Sequence, residues 1–298
     1  MSDQNPFCPL CGSGRVEIYW NHVWTAPGKK VCCCGNCSLF FIHPPLTAQE
    51  EQSYYKDYSC HLQRRAVEGS KTVEETFLKR SESGQYRIDI LKDYLLDASS
   101  ILEIGGGCGN FIADIRKAGF GGEAVLVELC WEHLEFAIKK LGIKGFSALE
   151  DLKSGPFSAI CMFHVLEHIL EPVPFLNKCR DLLDEGGCLV IEVPSSSDPL
   201  LSIYDCDSYK DFYFQPMHHY VYSEKTLGVL AGLAGFSISK FIPIQRYPLS
   251  NHLHWLRSGR AGTENKYTEI VGKKLDDEYR KKMVENNTTD TIFCILRK

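Results

Sequence analysis

Beyond residue 85 the chain alternates between two hydrophobic periods. Segments 88–96, 110–118, 131–141 and 174–184 repeat apolar residues three and four apart with polar residues between, so each predicts a helix with one buried face. Between them, 100–105, 123–128, 157–163 and 187–193 are short apolar runs bounded by glycine, proline or acidic residues, the pattern of strands buried on both faces. Such alternation predicts βαβ units and a parallel sheet, an α/β fold. Two later apolar runs, 236–244 and 290–296, predict the strands that complete it. Segment 264–285 carries six basic and six acidic residues in mixed order, which predicts a solvated helix and not a binding tail.

The first 45 residues have no such alternation and carry two C-x-x-C knuckles instead, Cys8-Pro9-Leu10-Cys11 and Cys34-Gly35-Asn36-Cys37, separated by twenty-two residues. Four thiolates at about 2.3 Å complete a tetrahedral Zn²⁺ site, and a segment of roughly forty residues with few large apolar side chains gains folding energy from it. Residues 1–45 are therefore predicted to be a zinc ribbon held by Cys8, Cys11, Cys34 and Cys37. Cys32 and Cys33 stand beside Cys34 as alternatives, but Cys34 alone keeps the two-residue gap to Cys37. Four sulfur ligands leave no position for water, so the site is expected to be structural. Consecutive prolines at His43-Pro44-Pro45 exclude helix and end the ribbon. Residues 46–84, polar and aromatic with Tyr54, Tyr55 and Tyr58, predict a linker and helical lid, with Tyr58 a candidate acceptor contact.

Candidate chemistry begins with Ile101-Leu102-Glu103-Ile104-Gly105-Gly106-Gly107-Cys108-Gly109, a strand ending near an acid and followed by a glycine turn and a helix. Glycine there lets the backbone turn sharply and approach a ligand. The spacing is acid-x-Gly-x-Gly-x-Gly. A dinucleotide loop would need glycine at Asn110 or Ile112, and a P-loop would need Gly-Lys-Ser/Thr, so both are excluded. Glu128 ends the next strand, nineteen residues after Gly109, where an acid accepts hydrogen bonds from a ribose diol.

This set resembles motif I and the following acid of the class I S-adenosylmethionine-dependent methyltransferases. Three further segments are similar to that family: Ala148-Leu149-Glu150-Asp151-Leu152 to its adenine loop, Val165-Leu166-Glu167-His168 with Pro172 to its VLEH…P signature, and Leu183 to Pro194 to its fifth strand. The resemblance spans roughly residues 85–245. It implies a Rossmann-like, doubly wound, mostly parallel seven-stranded sheet in residues 85–298, with insertions at about 195–222 and 246–288. It also implies S-adenosylmethionine as cofactor, held by Glu103, Gly105, Gly107, Gly109, Glu128, Leu149, Glu150 and His164. Segment 212–223 resembles the Tyr-His-Glu-His…Phe-Ser stretch of deoxysugar C-methyltransferases, which also begin with a zinc-binding region; His218 falls on that family's basic histidine. Gln215, Pro216 and Met217 replace its Tyr, His and Glu, which favours an oxygen or nitrogen acceptor over carbon. His218, His168 and His219 are the candidate bases, each with a packed or solvent-facing histidine as the plain alternative. Arg246, Asn251, His252 and Trp255 suit a polar acceptor; the alternative is a helix packing Leu253 and Trp255 on the core.

Composition narrows the acceptor. At 298 residues, 44% hydrophobic and 24% charged, the chain carries one substantial core and an appendage. Net charge is −5, and the first 60 residues hold four basic and five acidic side chains, so an rRNA or tRNA methyltransferase is disfavoured and no nucleic-acid partner is expected. Intact acids and glycines count against a non-catalytic binding module, and the glycine spacing counts against an NAD oxidoreductase. No apolar run reaches ~18 residues, and most of the fourteen cysteines stand singly in apolar segments, so a cytoplasmic protein without a membrane partner is expected. The expected acceptor is a small molecule such as a sugar or secondary-metabolite precursor.

Overall fold

A computed structural model describes residues 6–47, 49–51, 72–152, 155–262 and 265–298. Its main sheet has seven strands: β4 (Ser100–Ile104), β5 (Glu123–Val127), β6 (Lys144–Phe146), β7 (Phe157–Phe163), β8 (Leu183–Pro194), β10 (Ser237–Ile244) and β11 (Thr291–Arg297). They lie in the order β10-β11-β8-β7-β4-β5-β6, with β11 antiparallel to both neighbours and the rest of the ladder parallel. The α/β class is the one expected from the hydrophobic periods, and the doubly wound, mostly parallel seven-stranded form is the one the methyltransferase resemblance implies.

Two-residue strand periodicity divides the core. Leu102, Val125, Ile160 and Leu189 turn to one face, against Leu176 and Cys179 of α4 (Pro172–Asp181) and Leu227 and Leu230 of α7 (Glu224–Leu233). Ile101, Leu126, Cys161 and Val190 turn to the other, against α1 (Val73–Leu95), α2 (Asn110–Lys117) and α3 (Trp131–Leu141). In α2 the buried residues Phe111, Ile112 and Ile115 make a single stripe, the reason this short polar segment is helical.

The N-terminal strands β1 (Val16–Trp20), β2 (Lys30–Cys34) and β3 (Phe40–His43) form an antiparallel sheet, and β9 (Tyr220–Val221) joins it as a fourth strand. Phe41 pairs with Tyr220, and Ile42 N–H donates to the His219 carbonyl at 3.1 Å. One face of this small sheet, with Cys32 and Phe41, packs on the main core; the other, with Val31 and Ile42, packs on α5 (Pro199–Ser202), α6 (Asp207–Tyr213) and Trp255. The ribbon is thus stitched to the insertion that follows β8.

Several elements differ from expectation. Strand β6 is three residues long, too short to stand out in the sequence. Helix α1 begins at Val73 rather than near residue 88. Residues 249–258 form a helix, α8 (Leu249–Ser258), and α9 (Asn265–Glu285) is kinked at Gly272, whose φ is +69°.

Candidate active site

Strand β4 carries Glu103 into the core, then the chain turns at Gly105, whose N–H donates to the Val127 carbonyl at 2.7 Å. Glycine is required at two points here. Gly105 has φ +69° and a Cβ on it would sit 2.6 Å from Val165 Cγ2; a Cβ on Gly106 would sit 2.4 Å from Glu103 Cδ and 2.6 Å from Leu126 Cδ1. Glu128, at the end of β5, clasps the turn: its Oε2 accepts from Gly107 N–H and its Oε1 from Cys130 N–H, both at 2.7 Å.

These residues open onto a cavity of about 780 Å³ at the C-terminal ends of the parallel strands, the place where doubly wound sheets hold ligands. One end is lined by Glu103, Gly105, Gly106, Gly107 and Glu128, with Arg80, Asn110, Asp114 and His133 around them. The other is lined by His164, His168, Gln215, His218, Arg246 and Tyr247, and Tyr86, Arg87 and Phe163 also line the cavity.

A family model described as a methyltransferase domain matches residues 70–240. The chain belongs to that methyltransferase family. Solved structures agree at the level of the fold. A SAM-dependent methyltransferase from Archaeoglobus fulgidus superposes with a TM-score of 0.51 at 20% identity, covering 76% of this chain and 97% of that one. A chain from the complex of the Haloferax volcanii Trm112 methyltransferase activator with a methyltransferase gives 0.52 at 12% identity, covering 84% and 97%. No curated protein matches the sequence.

The methyltransferase buries several charges around this cavity. Glu103 is 2% exposed, its Oε2 has no hydrogen-bond partner among the described residues, and burial pushes its carboxyl up to about 8. Burial also raises Glu128, against the backbone N–H groups that hold it. Glu192, fully buried on β8, accepts from Tyr86 Oη, from Arg87 Nε at 2.6 Å, and lies 3.1 Å from His164 Nε2. Burial alone would raise Glu192; His164, Arg87 and Arg246 outweigh it and hold the carboxyl far below the usual carboxylate range. His164 is raised: burial works against its charged form, but Glu192 overcomes it. Arg246 Nη1 lies 2.9 Å from His164 Nε2, and its Nε lies 3.4 Å from Asp290 Oδ1. His164 has φ +56°, a left-handed conformation that a non-glycine residue holds only where its surroundings insist.

Beyond His164, a 3-10 turn at Leu166–His168 brings His168 against the 215–219 segment. His168 Nδ1 lies 2.8 Å from the Met217 carbonyl, so that nitrogen carries the proton and donates, leaving Nε2 with its lone pair. The His168 and His218 rings meet edge to face at 4.9 Å.

The structure separates the other candidates from this cavity. His219 is 3% exposed and faces away from it, toward Glu51 at 4.0 Å, because neighbours in an extended chain point to opposite sides; burial lowers it to about 4. Asn251, His252 and Trp255 are buried on α8: Asn251 Nδ2 donates to the Gly262 carbonyl, His252 Nδ1 lies 2.8 Å from Tyr279 Oη, and Trp255 packs on Tyr209 and Phe212. The packing-helix alternative describes this segment. Gly109 starts α2 with φ +79° and faces Ile143, outside the cavity. Leu149 packs on the core, and Glu150 pairs with Lys178 at 2.8 Å beside a second depression next to Trp131. Tyr58 lies outside the described residues. Arg80, Tyr86, Arg87, Asn110, Asp114 and His133 line the cavity without having been singled out in the sequence. Glu192, by contrast, had a signal, a lone acid inside the apolar run Leu189-Val190-Ile191-Glu192-Val193.

In the ribbon, Cys8 Sγ and Cys37 Sγ are 3.5 Å apart, Cys11 Sγ and Cys34 Sγ 3.6 Å, and all four sulfurs lie within 4.8 Å of one another. A tetrahedron of sulfurs at about 2.3 Å from zinc has edges of about 3.8 Å, so the cluster suits a four-thiolate ion. Asn36 N–H, Cys37 N–H and Asn36 Nδ2 point at the Cys34 and Cys11 sulfurs. Cys32 and Cys33 are not in the cluster; Cys32 faces the main core instead.

Proposed function

We propose that this methyltransferase moves a methyl group from S-adenosylmethionine to an oxygen or nitrogen atom of a small polar molecule, and that Cys8, Cys11, Cys34 and Cys37 hold a structural zinc ion. The observation that carries the reading is a single cavity lined at one end by the Glu103–Gly107 turn and Glu128 and at the other by His168, His218 and Arg246.

The residues present suit the cofactor. Glu103 offers an unpartnered carboxylate oxygen for a cationic amino group, reached directly or through water. Glu128 has lone pairs left after its two backbone bonds, and these suit a ribose diol. Gly105 and Gly106 leave the turn bare, so the backbone can lie against a ligand. When bound, S-adenosylmethionine supplies an electrophilic sulfonium methyl. The chain's main contribution is then to hold donor and acceptor in line and keep water out. His164, locked between Glu192 and Arg246, forms the wall between the two ends. His168 and His218 face the acceptor end and activate the acceptor atom, while Arg246 and Tyr247 orient its polar groups.

Calorimetric titration of the full chain tests the cofactor assignment. One S-adenosylmethionine site is expected, weakened in Glu128→Ala, with no binding of NAD. Preferential NAD binding would overturn it. Metal analysis of protein purified without chelator tests the ribbon: one zinc per chain is expected, and its absence removes the zinc assignment.

A further inference from the structure

Glu167 has no role in the cofactor site, yet its burial calls for one. It is 1% exposed, and neither carboxylate oxygen has a hydrogen-bond partner among the described residues. A buried carboxylate left so costs several kcal/mol unless a cation meets it. The nearest imidazoles are His164, with Nδ1 3.4 Å from Glu167 Oε1, and His168, with Nε2 4.0 Å from the same oxygen. Glu192 and Arg246 meet His164 at Nε2, so its Nδ1 is what faces Glu167 Oε1, at 3.4 Å, and nothing among the described residues meets Oε2.

We propose that Glu167, His168 and His218 form a site for one divalent first-row transition-metal ion at the acceptor end of the cavity, and that this ion holds the acceptor through its oxygen atoms. The proposal deepens the reading of the cavity as a methyltransferase site and rests on it for the acceptor alone. Three observations carry it besides the stranded carboxylate.

One donor atom from each of the three residues lies within 4.8 Å of the others. Three ligands at about 2.1 Å from a common ion lie about 3.0–3.6 Å from one another, so binding draws the set together by up to about 1.8 Å, a side-chain rotation and not a backbone shift. Second, the imidazoles are held from behind, as metal ligands are. His168 Nδ1–H is held by the Met217 carbonyl at 2.8 Å, which presents Nε2, and the Gln215 side-chain amide lies 2.6 Å from His218 Nε2. Third, His168 and His218 both line the cavity, so a bound ion has open positions toward it. Val165, two residues before Glu167, touches the glycine turn, so these positions adjoin the cofactor end.

Donor chemistry selects the ion. Two imidazole nitrogens and one carboxylate suit Mn²⁺, Fe²⁺, Co²⁺ or Zn²⁺, whereas Ca²⁺ and Mg²⁺ favour all-oxygen sets. The site also differs from the four-thiolate cluster, which Mn²⁺ does not favour. A face of three protein ligands leaves room for a chelating oxygen ligand such as a diol, a catechol or a hydroxy acid. The ion acts on it as a Lewis acid, lowering the pKa of a bound hydroxyl. His168 and His218 are then ligands rather than bases.

Manganese titration of the full chain, followed by the loss of the free-ion electron paramagnetic resonance signal, tests the site. One Mn²⁺ per chain is expected, with affinity weakened by about 10²-fold or more in Glu167→Gln and in His168→Asn. In the wild-type chain, Mn²⁺ should broaden the imidazole resonances of His168 and His218 before that of exposed His22, a readout that needs no variant. Absence of Mn²⁺ binding, unchanged binding in both variants, or broadening of His22 first overturns the proposal. S-adenosylmethionine calorimetry on the same samples separates the two readings. Cofactor binding without Mn²⁺ binding refutes the metal site alone, and Mn²⁺ binding without cofactor binding supports the site while refuting the cofactor assignment.

Discussion

Replacing Arg87 with methionine strands the charge of Glu192. The guanidinium Nε lies 2.6 Å from Glu192 Oε2, the carboxylate is fully buried, and the Arg87 side chain is only 23% exposed. Arg87 also sits 4.6 Å over the Phe163 ring. Breaking one partner of a buried pair costs about 3–5 kcal/mol because the other charge stays in low dielectric. Tyr86 and His164 still reach Glu192, and methionine keeps most of the stem, so the low end applies, about 3 kcal/mol. For a chain of this length that is a fall of about 5 °C in Tm. Thermal unfolding at pH 7, followed by circular dichroism, measures it. The decisive comparison is the double-mutant cycle with Glu192→Gln: each single change breaks the same ion pair, so the loss in the double variant should be smaller than the two single losses added together. If Arg87→Met melts with the wild type, or if the two losses simply add, the ion-pair argument is refuted.

Gly106→Ala drives a methyl group into Glu103 and Leu126, and neither can withdraw from the core, so a loss of about 1–3 kcal/mol and weaker S-adenosylmethionine binding are expected in urea unfolding and calorimetry. Glu103 tests the pH dependence. Its folded-state carboxyl titrates near 8, above the usual 4.5, so the folded chain binds the extra proton between those values, and this group's contribution to stability falls as pH rises through that window. Glu103→Gln should therefore gain stability relative to wild type on going from pH 5 to pH 8, and equal differences at the two pH values would refute the burial argument. Cys34→Ser should release the zinc and loosen the β3–β9 pairing, seen as faster hydrogen exchange at the Ile42 amide, which donates to the His219 carbonyl. An Ile42 amide still protected in zinc-free protein would show that the ribbon does not hold the 217–221 segment.

The part of the cavity lined by the glycine turn was legible as a structure because its determinants are local. Glu103, the glycines and Glu128 occur at fixed offsets from strand ends, and strands buried on both faces read as apolar runs. The part lined by His168 and His218 was not. His218 and His219 are adjacent in sequence and alike in chemistry, yet one lines the cavity and the other is buried beside Glu51. Asn251, His252 and Trp255 have the composition of a binding loop, but they belong to α8, where the packing of Trp255 on Tyr209 and Phe212 decides which way they face. Arg87 and Tyr86 gave no sign at all, since their partner Glu192 lies 105 and 106 residues away along the chain.

By itself, then, the chain's pattern determined the α/β class, most of the strands and helices beyond residue 85, the cysteine knuckles and the acid-flanked glycine turn, all of them set by neighbours within a few residues. Only the tertiary structure decided that β3 of the ribbon pairs with β9, that Glu192 gathers Tyr86, Arg87 and His164, and that Glu167, His168 and His218 converge. Those groupings arise where long-range packing brings distant segments together, and whether a polar side chain faces water, the core or a ligand depends on what is packed against it.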